Sequence, residues 1–394
     1  MDGEKIVYRK FEIKENNYSE LLKHKFWGSF DSGVIFIFLS FYIWGKTSNL
    51  TTVAIAFIIP LLVNTVFDYY LSKLSDRGNR VKLIIIGNVG SAIFLCFYGF
   101  TKNVYMLYLL IFLKSIFVKI YESSLEPFKR EVIDRESYKD YISQENTKIS
   151  LGASIGGFLL MLIYSYYESM LLVFLISGLI ELYSTKYLLK LNNYNKKIVN
   201  EVEEEINITW LKRLTIIYTF EAFGIALIIN RMLIFLNDVH KVSVQKVGII
   251  FFIVYGFSNI IAGRIYKKFE RLKLDYMFIM CFLLQSLLLL IFIKMTNLNL
   301  IIGIWFIFEL VSNITGIYSK DKMNRNIISR IGEKFSKFRI KITIGSILGQ
   351  IIIGQIWDKF GIEHSFYFSS LLLFLLALGI WLRKYREIGI AETE

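Results

Sequence analysis

The chain has 394 residues, 55% of them hydrophobic and 16% aromatic, with two prolines and a mean hydropathy of +0.49. This balance excludes an ordinary soluble domain and a Gly/Pro-rich disordered chain. A formal net charge of +13 raises nucleic acid as a partner, but the basic residues sit where membrane topology puts them, so no nucleic-acid role is expected.

Residues 1–23 are charged throughout and read as a cytosolic arm without a cleavable signal. Twelve apolar spans follow, at about 24–46, 50–72, 83–101, 104–126, 147–167, 169–189, 211–236, 244–263, 274–294, 298–318, 340–360 and 363–383. Lys and Arg crowd into the N-terminal arm, alternate loops and the C-terminal end of the chain (Arg383, Lys384 and Arg386), where the tail at 385–394 begins, while the other loops hold isolated lysines such as Lys46, Lys102 and Lys359. That asymmetry is the positive-inside pattern, and it predicts a cell-membrane protein with both termini in the cytoplasm. The expected organisation is an all-α bundle at 24–190, a polar linker at 191–209, and a second all-α bundle at 210–384.

The two halves repeat. SKLSDRGNRVK at Ser72–Lys82 is matched by GRIYKKFERLK at Gly263–Lys273, 191 positions later. GASIGG at Gly152–Gly157 is matched by GSILGQ at Gly345–Gln350, 193 later. The outer turns around Glu168 and Glu363 are 195 apart. Duplicated bundles with matched inner turns are a layout of secondary transporters. Gly152, Gly156, Gly157, Gly345 and Gly349 are candidates for close helix packing, because small residues let backbones approach.

Cys96 and Cys281 fall inside spans and read as free, packed thiols. His24, His240 and His364 lie near span ends with no metal-site spacing, so neither a metal nor a cofactor is expected. The chain has no phosphate-binding Gly-rich loop of the GxxxxGK[ST] type, no GxSxG and no HExxH, and no enzymatic activity is expected.

An ionisable side chain inside a span costs several kcal/mol unless it meets a partner or a wet cavity, so each marks a functional position. Asp31 lies in span 1, Lys114 in span 4, Glu221 and Arg231 in span 7, and Glu309 in span 10. Asp31 and Glu221 are 190 apart; Lys114 and Glu309 are 195 apart with the charge inverted. Asp31, Glu221, Lys114 and Glu309 are the proton-coupling candidates, with Lys114 tuning a carboxylate and Glu309 attracting a cation or pairing with Lys114. The bland alternative is a set of buried ion pairs that lock helices together. Lys119 and Glu122 read as a local pair or as snorkelling chains near the inner end of span 4, and Asp68 as structural. Trp27, Tyr42, Tyr218, Phe220, Phe223, Arg231 and Trp305 are candidates for a substrate cavity, where aromatic walls suit amphipathic ligands.

LSDRGNRVKLI at Leu74–Ile84 resembles the loop between helices 2 and 3 of major facilitator transporters, with Leu74, Asp76, Arg77 and Arg80 matching and Ser72 standing where Gly is usual. FLKSIF at Phe112–Phe117 resembles the segment where drug-efflux members place an arginine, here Lys114. GASIGG resembles the glycine-rich antiporter motif without its proline, and the C-terminal spans resemble the macrolide-efflux-type branch. The resemblance implies the twelve-helix major facilitator fold, a cavity lined by helices 1, 4, 7 and 10, and Leu74, Asp76, Arg77 and Arg80 as a cytoplasmic gate. It implies proton-coupled efflux of an amphipathic small molecule by a monomer in the lipid bilayer. Two alternatives stay open: uptake or export of one metabolite, siderophore or lipid, and a non-transporting sensor or assembly scaffold.

Overall fold

A computed structural model describes residues 16–77, 79–133, 137–192, 208–226, 232–269, 274–326 and 331–391. Every regular element among them is helical. Helix α1 runs over Asn16–Thr47 and is followed by α2 (Leu50–Arg77), α3 (Arg80–Phe97), α4 (Val104–Val132), α5 (Tyr138–Tyr167) and α6 (Met170–Leu188). The second half begins with α7 (Ile208–Ala226) and α8 (Met232–Asp238). Helix α9 joins Val244–Phe251, a π-helical turn at Phe252–Phe257, and Ser258–Phe269. It is followed by α10 (Leu274–Lys294), α11 (Leu298–Asn326), α12 (Ile331–Phe360) and α13 (Ile362–Ala391).

Eleven helices among the described residues are long and apolar enough to cross a membrane. The span expected at 211–236 is the exception: it falls on α7 and α8, and the residues between them, Arg231 included, lie outside the described set. Helix starts follow from capping chemistry. Asn79, Asn103, Ser169 and Ser243 each accept a backbone N–H of the first turn of α3, α4, α6 and α9. Helix α5 ends on Glu168 (φ 51°) and α12 on Gly361 (φ 86°), both left-handed. These stops are 193 apart, so the repeat pairs Glu168 with Gly361 rather than with Glu363.

The residues cluster into two compact units: 1–48, 59–204 and 328–340 in one, and 49–58, 205–327 and 341–394 in the other. In the first unit α3 packs against α4 and α6, and α1 against α5. A core of Leu21, Ile84, Leu125, Phe128, Tyr141 and Leu188 joins one end of these helices. In the second unit α10 packs against α13, and α9 against α11. Its core includes Ala262, Tyr266, Cys281, Val311 and Tyr318.

The glycine motifs sit where backbones meet. A Cβ on Gly152 would overlap the carbonyl oxygen of Phe26, and one on Gly156 would lie 2.7 Å from the Phe30 ring. Gly157 faces the Cα of Gly33 at 3.8 Å from the same added position. In the second unit a Cβ on Gly345 would overlap the carbonyl oxygen of Thr219. Gly349 is buried. Thus α5 touches α1, and α12 touches α7, backbone to backbone, as only glycine allows.

Candidate functional site

The first unit brings its intramembrane charges together. Lys114 Nζ on α4 lies 3.0 Å from Asp31 Oδ2 on α1, and the hydroxyl of Ser32 donates to Asp31 Oδ1 at 3.2 Å. A π-helical turn at Ile35–Leu39 begins one turn beyond Asp31, a distortion often found at functional positions. The carboxylate of Glu181 on α6 lies within electrostatic reach of both Lys114 and Asp31. It is 5% exposed, and its Oε1 accepts from Ser91 Oγ at 2.7 Å.

Further ion pairs hold α4. Lys119 Nζ pairs with Asp68 Oδ1 on α2, and the residues are 2% and 1% exposed. Lys119 is therefore neither a snorkelling chain nor half of a local pair with Glu122; α2 supplies its anion across the bundle. Lys129 pairs with Glu126 at 2.6 Å and with Glu145 of α5 at 3.1 Å, and Lys25 adds a contact to Glu145 at 3.6 Å. His24 Nε2 meets Tyr121 Oη at 2.8 Å.

In the gate motif, Leu74 is exposed, and Arg80 pairs with Glu131 on α4. Arg80 thus has a partner within its own half. The side chains of Asp76 and Arg77 lie outside the described set.

The aromatic candidates divide. Trp27 stacks on Phe30 at 5.5 Å and meets the edge of Tyr183 at 5.3 Å. Tyr42 belongs to the outer turn: its hydroxyl donates to the carbonyl of Thr101 at 2.7 Å, and Lys46 Nζ lies 4.3 Å from its ring. Tyr218 packs edge-on against Phe278, Phe223 lies 6.3 Å from Phe368, and Phe220 is half exposed.

In the second unit Glu221 is 6% exposed, and among the described residues no lysine, arginine or histidine forms an ion pair with it. Glu309 accepts a hydrogen bond from Trp305 Nε1 at 3.2 Å, one turn away. Trp305 is itself buried, so its indole N–H serves Glu309.

Sequence reading missed Glu181 and its neighbours. Asn88 Nδ2 donates to the Glu181 carbonyl and to Thr185 Oγ1, at 3.2 and 2.9 Å. The signal was present, since Glu181 is an acidic residue deep in an apolar run.

Comparison with known proteins agrees with this layout. The family model of the Major Facilitator Superfamily matches residues 26–319. No curated protein matches the chain. Among solved structures, a bacterial homologue of the human lysosomal transporter Spinster, inward-facing and occupied, aligns with a TM-score of 0.73 at 14% identity. The alignment covers 95% of this chain and 97% of that one. A point mutant of the nucleoside transporter NupG aligns with a TM-score of 0.71 at 14% identity, covering 95% of this chain and 99% of that one. At that identity the likeness concerns the fold alone. With three quarters of its length matched by the family model, its apolar helices and its duplicated halves, the chain belongs to the Major Facilitator Superfamily: a multi-pass membrane transporter of small molecules, not an enzyme.

Proposed function

We propose that the protein is a proton-coupled exporter of an amphipathic small molecule, of the macrolide-efflux type, working by alternating access. The bundles are residues 24–190 and 210–384, both termini are cytoplasmic, and the working unit is a monomer in the cell membrane. The observation that carries this reading is Glu221: a carboxylate buried inside the membrane with no ion pair among the described residues. Such a group is tolerable when protonated and costly when charged, so its proton occupancy depends on access to water. A cycle that alternately buries and exposes it binds a proton from one side and releases it to the other. Asp31, at the matched position of the first half, is instead held by Lys114 at 3.0 Å. That pair exchanges partners as the cycle proceeds. Trp27, Tyr218, Phe220 and Phe223 offer ring faces to an apolar or cationic ligand.

The test is proton movement in proteoliposomes under an imposed pH gradient, with lipophilic cations and macrolides added in turn. The expected result is a substrate-triggered collapse of the gradient that Glu221→Gln abolishes. A collapse that survives unchanged in both Glu221→Gln and Asp31→Asn would sink the coupling assignment. Silence of the native protein across the panel would shift the reading to a narrow endogenous substrate.

A further inference from the structure

Glu181 has no part in the scheme above, and its surroundings are unusual. It sits mid-way along α6, and while Oε1 accepts from Ser91, Oε2 is buried with no hydrogen-bond partner among the described residues. The groups that face it come from three helices: Asp31 on α1, Lys114 on α4, and Cys96 and Tyr98 at the end of α3. Helix α5 also packs on α6 and adds no described charged neighbour.

The second half shows what this interface needs for packing alone. Ser286 lies 195 positions after Ser91, and it bonds to Ser370 on α13, hydroxyl to hydroxyl at 2.9 Å. Each serine also reaches the other's carbonyl, at 2.8 and 2.9 Å. Two small hydroxyl residues therefore join the third and sixth helices of that bundle. In the first half Ser91 meets instead a carboxylate one turn beyond Ser177, the residue 193 before Ser370, and burial opposes such a group.

Charge balance says what it is for. Asp31, Glu181 and Lys114 supply two potential anions and one cation. With both carboxylates ionised, the cluster holds an excess negative charge away from water; one proton neutralises it. Asp31 holds the lysine in this structure, so the place for that proton is Glu181.

We propose that Glu181 is a second proton-carrying residue, protonated while Lys114 is bound to Asp31 and deprotonated when Lys114 turns to it. On release the O–H bond breaks, the electron pair stays on the carboxylate oxygen, and the proton passes to water; Lys114 remains an ammonium throughout. The proposal rests on the proton-coupled reading, and its first test needs no substrate.

That test is isotope-edited infrared difference spectroscopy of the purified full chain, taken between acidic and alkaline buffer. The native protein is expected to show a carboxyl C=O band that titrates, is lost in Glu181→Gln, and moves to higher frequency in Ser91→Ala as its hydrogen bond disappears. Coupled proton flux in proteoliposomes is expected to fall in Glu181→Gln to the level of empty vesicles. Glu181→Ser, which puts a small neutral hydroxyl in place of the carboxylate, gives the same readings should the glutamine variant not fold. An unchanged set of titrating bands in these variants overturns the proposal, as does a lost band with native coupled flux. Failure of the coupled-efflux reading looks different: the native protein itself moves no protons, whatever its infrared spectrum.

Discussion

In the first half Asp31, Asp68 and Glu145 each face a lysine on α4. In the second half Glu221 is buried with no ion pair among the described residues, and Glu309 accepts a hydrogen bond from the Trp305 indole. The halves repeat in sequence and in helix order, yet they meet the same physical problem by opposite means. A paired buried carboxylate is fixed in its charged form, because its removal strands the lysine. An unpaired one is free to change its protonation when its access to water changes. The repeat therefore joins a bundle in which three carboxylates are paired with lysines of one helix to a bundle in which, among the described residues, Glu221 and Glu309 form no ion pair.

The sharpest way to break this contrast is Lys119→Met. It leaves Asp68 buried without its cation and is expected to cost about 3–5 kcal/mol, read as a lower Tm in detergent. Adding Asp68→Leu is expected to recover most of that loss. A single variant as stable as the native protein would show that the pair does not lock α2 to α4.

Next in size are the glycine contacts, where the halves should behave alike. Gly152→Val and Gly345→Val force α1 from α5 and α7 from α12, at an expected cost of about 1–3 kcal/mol each. At Gly303 an added Cβ meets nothing within 4 Å, so Gly303→Ala is expected to change stability by less than about 0.5 kcal/mol.

The comparison between matched carboxylates comes third. Asp31→Asn leaves Lys114 with Glu181 as its remaining charged neighbour and is expected to lower stability by about 1–2 kcal/mol. Glu221→Gln removes a group with no ion pair and is expected to leave Tm unchanged or raise it, while abolishing coupled flux. Equal destabilisation by both variants would erase the difference between the halves. Among the ion pairs the smallest effect belongs to Arg80→Ala, whose pair with Glu131 lies at the helix ends with both side chains partly in solvent. Its expected cost is up to about 1 kcal/mol, declining as salt is added.

The fold was legible because its causes are written along the chain. Apolar runs of bilayer length, alternate basic loops and the 191–195 offset each fix topology without knowledge of any contact. The glycine pairs were legible for the same reason, as their spacing repeats. Lys119–Asp68 was not, because the partners are 51 positions apart on different helices, and distance along the chain says nothing of which helix faces which. Glu181 went unread because attention followed the four helices that the resemblance assigns to the cavity, and α6 is not one of them. Tyr42 lies on a helix that the resemblance assigns to the cavity, and its hydroxyl donates to the Thr101 carbonyl, a contact that spacing does not show.

The glycine contacts carry one more consequence. Side chains that interdigitate act as teeth, and helices so meshed resist sliding until the teeth disengage. Where Gly152 meets the Phe26 carbonyl and Gly345 that of Thr219, there are no teeth to clear. At these points the first and fifth helices of each bundle meet with no side chain between the backbones, and a shear displacement there meets less resistance. The same absence of a side chain that makes these positions intolerant of substitution removes an obstacle to sliding.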